Sequence, residues 1–139
     1  RELLTRLDIA KEQGAEAEAV IEARVAEHDE TYHLSYLEFS GGLFSVARAS
    51  LPIGHITRLR ILARDVSLTL QPQTGTSILN IFPALIDELA ETGPAQMLVR
   101  LDIAGNPLLA RITRKSADVL KLAPGKQVYA QVKAVALLE

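Results

Sequence analysis

The sequence predicts an all-β protein made of two copies of a four- to five-stranded unit. Three observations point there. Val128, Ala130 and Val132 alternate with Tyr129, Gln131 and Lys133, the pattern of a strand with one face buried. Motifs also recur in the same order. L-E-F-S-G-G-L-F-S-V from Leu37 resembles L-D-I-A-G-N-P-L-L-A-R-I from Leu101, and L-P-I-G at Leu51 resembles L-A-P-G at Leu122. Each copy reads strand, acidic residue, turn, strand, and such self-similarity points to a duplication. Finally, 48% of the 139 residues are hydrophobic although the chain has no Trp and few aromatics. A core of Val, Leu, Ile and Ala suits small β barrels.

Taken in order, residues 1–19 stand apart. Leu3, Leu4 and Leu7 sit at helical spacing, and the Ala- and Glu-rich run after them is broken by Gly14, so a short helix and a linker are expected. The first β unit is expected over 20–70. V-I-E-A-R-V-A is its first strand, and His28 to Glu30 a turn. H-L-S-Y-L-E-F is the next strand, with Leu34, Tyr36 and either Leu37 or Phe39 facing inward. Gly41-Gly42 signals a hairpin, and L-F-S-V-A-R returns. After L-P-I-G, the segment R-L-R-I-L-A-R alternates charged and apolar residues as a further strand, and Asp65 begins a turn.

Gln71 to Ser77 reads as a linker, and the second unit is expected over 71–139. P-A-L-I-D-E-L-A is a strand, E-T-G-P a turn, and A-Q-M-L-V-R-L-D-I-A a long strand. Gly105-Asn106-Pro107 is a tight turn before L-L-A-R-I. Lys115 to Leu120 makes about one and a half helical turns. Pro124-Gly125 then turns the chain into its closing strand.

The formal charge of −2 gives no electrostatic footprint for a phosphate backbone. With no cysteine there is no disulfide framework and no thiolate metal site, and His28, His33 and His55 lack metal-ligand spacing. No apolar run approaches the roughly 18 residues of a membrane span, and no signal peptide is legible. The chain starts at Arg1 without a Met, as expected of a piece of a longer protein.

No paired carboxylates, Ser/His/Asp set or phosphate-cradling loop is visible. Glu38 and Asp102 are expected to face solvent. Arg58, Arg60 and Arg64, and separately Arg111, Arg114 and Lys115, are expected to form solvated faces or interface contacts. An anion site fits better. Thr76-Ser77-Ile78-Leu79-Asn80 places two hydroxyls and an amide directly after a Gly, where a bend exposes backbone N–H groups to an oxyanion. Lys133 would add the positive charge. A tetrahedral dianion wants several fixed donors and one or two cations in a partly desolvated place. The plainer readings are local turn bonding for Ser77 and Asn80, and a snorkelling surface side chain for Lys133.

A-R-D-V-S-L (Ala63 to Leu68), T-S-I-L-N-I-F-P-A (Thr76 to Ala84), L-L-A-R-I-T-R-K-S-A-D-V-L-K-L-A-P-G and V-Y-A-Q-V-K-A-V-A-L together resemble the C-terminal regulatory region, of Mop or TOBE type, of the ATP-binding subunit of bacterial molybdate ABC importers. The resemblance runs from about Val20 to Leu138, and residues 1–19 resemble the tail of the ATPase domain that precedes it. It implies two OB-like β barrels in tandem. It implies a homodimer that binds molybdate or tungstate and shuts down import from the cytoplasmic face of the inner membrane. Ser77, Asn80 and Lys133 match the oxyanion-binding positions, with Ser116 and Ala134 as weaker matches. ATP, the ATPase activity and contact with the membrane permease belong to the upstream domain, and no Walker motif lies in this chain. Many such sequences read S-x-R-N where this chain has Leu79, so it lacks one guanidinium. A dimerisation module without ligand is therefore the alternative. An OB-type nucleic-acid binder is disfavoured, because such sites use stacking aromatics and basic grooves.

Overall fold

The computed structural model describes residues 16–138. The expected helix in the first nineteen residues lies almost wholly outside them. The described chain runs β1 (Glu18–Asp29), β2 (Leu34–Phe39), β3 (Gly42–Ala47), β4 (Ile56–Leu62), a 3-10 turn (Ala63–Asp65) and β5 (Val66–Thr69). There follow β6 (Asn80–Gly93), β7 (Gln96–Ile103), β8 (Asn106–Thr113), helix α1 (Arg114–Val119), β9 (Gln127–Val132) and β10 (Ala136–Leu138). Residues 70–79 form neither helix nor strand, as the polar, Pro- and Gly-containing linker dictates.

The strands form two five-stranded sheets, ordered β10-β4-β1-β2-β3 and β5-β9-β6-β7-β8. The fifth strands are exchanged. β5, from the first half, pairs with β9 of the second sheet, Val66 opposite Val132. β10, at the far end of the chain, pairs with β4 of the first, Ala136 opposite Arg60.

The duplication extends to single hydrogen bonds. Val25 N–H donates to His55 O at 2.9 Å and Gly54 N–H to Val25 O at 2.7 Å. Their counterparts are Ile86 N–H to Lys126 O at 3.0 Å and Gly125 N–H to Ile86 O at 2.7 Å. In both copies the register of the long first strand slips just there, at Val25/Glu27 and Ile86/Glu88. Each bulge bends its strand so that the sheet can curl.

One hydrophobic core serves both sheets, running from Ile21, Leu37 and Leu59 through to Ile86, Leu101 and Val128. Its junction is aromatic. Phe82 of β6 sits with ring centroids 5.2 Å from Phe39 and 4.7 Å from Phe44. Gly41 lets the turn approach this cluster, since a Cβ there would lie 2.7 Å from the Phe39 ring and 2.8 Å from Ile103 Cγ2.

Several local expectations need correction: the first turn is at 30–33, not His28 to Glu30, and β6 runs through Gly93 to a turn at 94–95. In β2 the buried residues are Ser35, Leu37 and Phe39, while Leu34 and Tyr36 are half-buried. The inward position at 35 is polar, which hid the register. Its hydroxyl accepts from Ala49 N–H at 2.9 Å and lies 2.8 Å from His28 Nδ1. His28 Nε2 donates to Leu51 O at 2.7 Å, so both ring nitrogens and the Ser35 hydroxyl are matched. The turn before β8 is Ala104-Gly105, with φ of 51° and 91°, the left-handed pair of a two-residue hairpin. Asn106 and Pro107 already belong to β8, an edge strand where a missing N–H is tolerated. The turn at Asp65 ends at once, and the chain re-enters a sheet as β5.

The β1–β2 turn is closed by Asp29. Its Oδ1 accepts from the Thr31 and Tyr32 N–H groups at 3.0 and 3.1 Å, and its Oδ2 from the Tyr36 hydroxyl at 2.6 Å. The Tyr36 hydroxyl and then the backbone donors hold the Asp29 carboxyl below its ordinary range. A depressed carboxyl contributes stability above its unfolded pKa and loses it as pH falls through the folded value. In acid titrations of unfolding, Tyr36→Phe is therefore expected to lose less stability than wild type between about pH 4 and the lower folded pKa of Asp29. Equal slopes would refute the bond's role.

Truncation at the aromatic junction tests whether the sheets share one core. Phe82→Ala is expected to cost about 3–5 kcal/mol in urea unfolding, with a single transition retained. Two separated transitions would show that the units fold independently.

Candidate functional site

Asn80 opens β6 and is only 7% exposed. Its side chain faces the edge strand of the other sheet. Oδ1 accepts from Ser45 N–H at 2.7 Å, and Nδ2 donates to Ser45 O at 3.1 Å. The amide thus imitates the backbone of a neighbouring strand and ties β6 to β3. It satisfies both main-chain groups of an unpaired edge position. Nδ2 keeps one further N–H.

Ser77 lies exposed in the bend just before this tie. Thr76 Oγ1 accepts from Ile78 N–H at 3.2 Å, so one of the backbone donors expected to be open here is used locally. Lys133 follows Val132, the β9 partner of Asn80. Its backbone N–H donates to Asp65 O at 2.8 Å, and its side chain is exposed. Ala134 beside it is exposed too.

Lys133 and Ile78 border one open cleft of about 140 Å³, completed by Arg64, Asp65, Val66, Ser67 and Gln131. The exchange of β5 creates it, by carrying residues 64–67 across to the β9 edge. Gln131 donates from Nε2 to Ser67 Oγ at 3.1 Å, and its Oε1 is buried with no hydrogen-bond partner. Arg64, Ser67 and Gln131 carry no alternation or turn signal that marks them as site residues. Only their place in the A-R-D-V-S-L and V-Y-A-Q-V-K segments set them apart.

Ser116 lies elsewhere. In the first turn of α1 its N–H donates to Thr113 Oγ1 at 3.0 Å, and the Thr113 hydroxyl is 2.9 Å from Ser116 Oγ. This is an N-cap bond. The cleft beside it, about 370 Å³, is lined by Pro94, Ala95, Thr113, Arg114, Lys115 and Asp118 and shares no residue with the Lys133 cleft. Three members of the basic clusters are ion-paired among the described residues. Glu16 receives Arg64 at 3.3 Å and Arg111 at 3.8 Å, and Arg60 approaches Glu18 at 4.0 Å. Among the described residues no group of three or more His, Asp or Glu could hold a metal ion, and no helix is long and apolar enough to cross a membrane.

The chain is similar to known proteins. The family model described as "TOBE domain" matches residues 76–138. Over 137 residues and 99% of its length, the chain is 50% identical to the molybdenum import ATP-binding protein ModC of Albidiferax ferrireducens, and it covers 37% of that protein. The ModC of Aromatoleum aromaticum is likewise 50% identical, with 36% covered. The chain thus spans little more than a third of the length of these relatives. A crystal structure of the cytoplasmic molybdate-binding protein ModG with molybdate bound superposes with a TM-score of 0.67, at 23% identity, over 85% of this chain and 93% of that one. At that identity it shows the OB-like fold.

The Asn80 tie yields a ligand-free prediction. Asn80→Asp replaces the donor to Ser45 O by a second acceptor, so unfolding free energy measured without oxyanion is expected to fall by about 1–3 kcal/mol. An unchanged value would show that the tie adds nothing to stability.

Proposed function

This chain carries a TOBE domain over residues 76–138 and corresponds to the C-terminal part of molybdenum import ATP-binding proteins, and we propose from that premise that it is the oxyanion-sensing regulatory domain of such a subunit. It binds molybdate or tungstate, dimerises, and slows import when the cytoplasmic oxyanion is abundant. The single observation that carries this reading is the cleft in which Lys133 meets Ile78, the middle residue of the Thr76–Asn80 segment.

In that cleft Lys133 supplies a mobile ammonium, a strongly hydrated point charge with three donors. Ser77 adds a hydroxyl from the bend. Asn80 holds the bend in place and has one amide N–H to spare. Ala134 contributes backbone and no bulk. Ser116, which lies in the first turn of α1 away from this cleft, joins from a second copy of the chain, so a complete site requires the homodimer. The ATPase chemistry belongs to an upstream domain of the parent subunit, which works with a membrane permease at the cytoplasmic face.

A ligand-free dimerisation module is the second reading. Leu79, 66% exposed, and the engagement of the Asn80 amide with Ser45 both favour it. Calorimetry with sodium molybdate separates the two. Binding to wild type is expected, together with a stabilisation of about 2.7 kcal/mol at a ligand concentration of 100 Kd. Lys133→Gln is expected to weaken binding roughly tenfold or more. No heat and an unmoved melting temperature would leave only the dimerisation reading.

A further inference from the structure

We infer that Arg64 supplies the guanidinium that position 79 does not, so that the oxyanion is held between Arg64 and Lys133. This rests on the reading of the Lys133 cleft as an oxyanion site and adds a ligand group to it.

The argument starts from the strand exchange. Arg64 belongs to the 3-10 turn at the crossing, and only because β5 pairs with β9 does that turn arrive beside Lys133. The two halves differ here. Lys133 follows Val132, the partner of Asn80, while Leu62 follows Ile61, the partner of Ala19. The first copy thus has a half-buried Leu62 where the second has an exposed cation. Lys133 and Arg64 line the same cleft.

The lining suits a small dianion. Arg64 and Lys133 contribute two positive charges against the single carboxylate of Asp65. Ser67 offers a hydroxyl. Gln131 lines the cleft with an amide whose buried Oε1 is unpartnered. Turning that amide over would place a donating NH₂ there and let Oε1 accept from Ser67. The guanidinium is also free to turn. Its partner in the described residues is Glu16 at 3.3 Å, with the two side chains 60% and 38% exposed. Such a solvated pair holds its arginine weakly, whereas a planar fork binds a tetrahedral oxyanion through two parallel N–H bonds.

The test is calorimetric titration of the full chain with sodium molybdate, comparing wild type, Arg64→Ala, Glu16→Gln, and Arg64→Ala combined with Leu79→Arg, each checked for its melting temperature. Arg64→Ala is expected to weaken binding roughly tenfold or more. Glu16→Gln, which frees the arginine, is expected to hold or tighten binding. Leu79→Arg is expected to restore what Arg64→Ala loses. Wild-type affinity in Arg64→Ala overturns the inference and leaves the oxyanion reading intact. An equal loss in Glu16→Gln also overturns it, since the ion pair and not the guanidinium would then matter. Absence of binding in wild type overturns both.

Discussion

The reciprocal exchange of β5 and β10 is the constraint on which the rest of the molecule depends. Each half of the chain builds four strands and gives its fifth to the other sheet. Neither sheet is complete without the other half. An isolated half would expose the open edge of β4 or β9, a row of unpaired N–H and C=O groups. Exchange therefore converts a tandem repeat into one cooperative body. The core follows suit, because the inner faces of both sheets meet across Phe39, Phe44 and Phe82. The Asn80 tie closes the remaining seam between β3 and β6 with two hydrogen bonds.

The two copies have then diverged on their outer faces. Across β1, β2 and β4, Glu22 stands opposite Arg58 and Arg24 opposite Glu38, so that face is a lattice of complementary charge. The matching face of the second sheet presents Pro83 opposite Tyr129 and Leu85 opposite Gln127, with Leu85 47% exposed. Duplication supplied two equivalent surfaces, and the charged one satisfies itself. The cleft of Lys133 and Arg64 lies on the other, with Asp65 in its lining and Glu16 beside Arg64.

Much of the fold was legible because its information is local. Strict alternation marked β4 and β9, and the order of turn motifs exposed the repeat. What stayed hidden depends on distant partners. The register of β2 turns on Ser35, whose polarity is tolerable inside only because His28 and Ala49 satisfy it. β5 is four residues long, too short for its periodicity to distinguish it from the turn before it. No pattern in Val66–Thr69 says which sheet it joins. The site divides in the same way. Lys133 stood out as a cation in an apolar stretch. The partner of Asn80 did not, since it is the backbone of Ser45, and backbone carries no sequence signature.

That hidden partnership changes what the S-x-x-N segment does. A ligand competing for both bonds of Asn80 would have to release the edge of β3 and leave Ser45 unsatisfied, which costs more than one new hydrogen bond returns. The amide is better placed as an anchor. By fixing the first residue of β6 against the opposite sheet, it fixes Ile78 and Ser77 just upstream, on the rim of the Lys133 cleft. The cleft is then bordered by three elements of different mobility: a bend held by Asn80, a 3-10 turn held by the exchanged β5, and the long flexible lysine. On the proposed reading, two rigid walls and one adaptable cation would let a small oxyanion bind without the protein having to order itself around it.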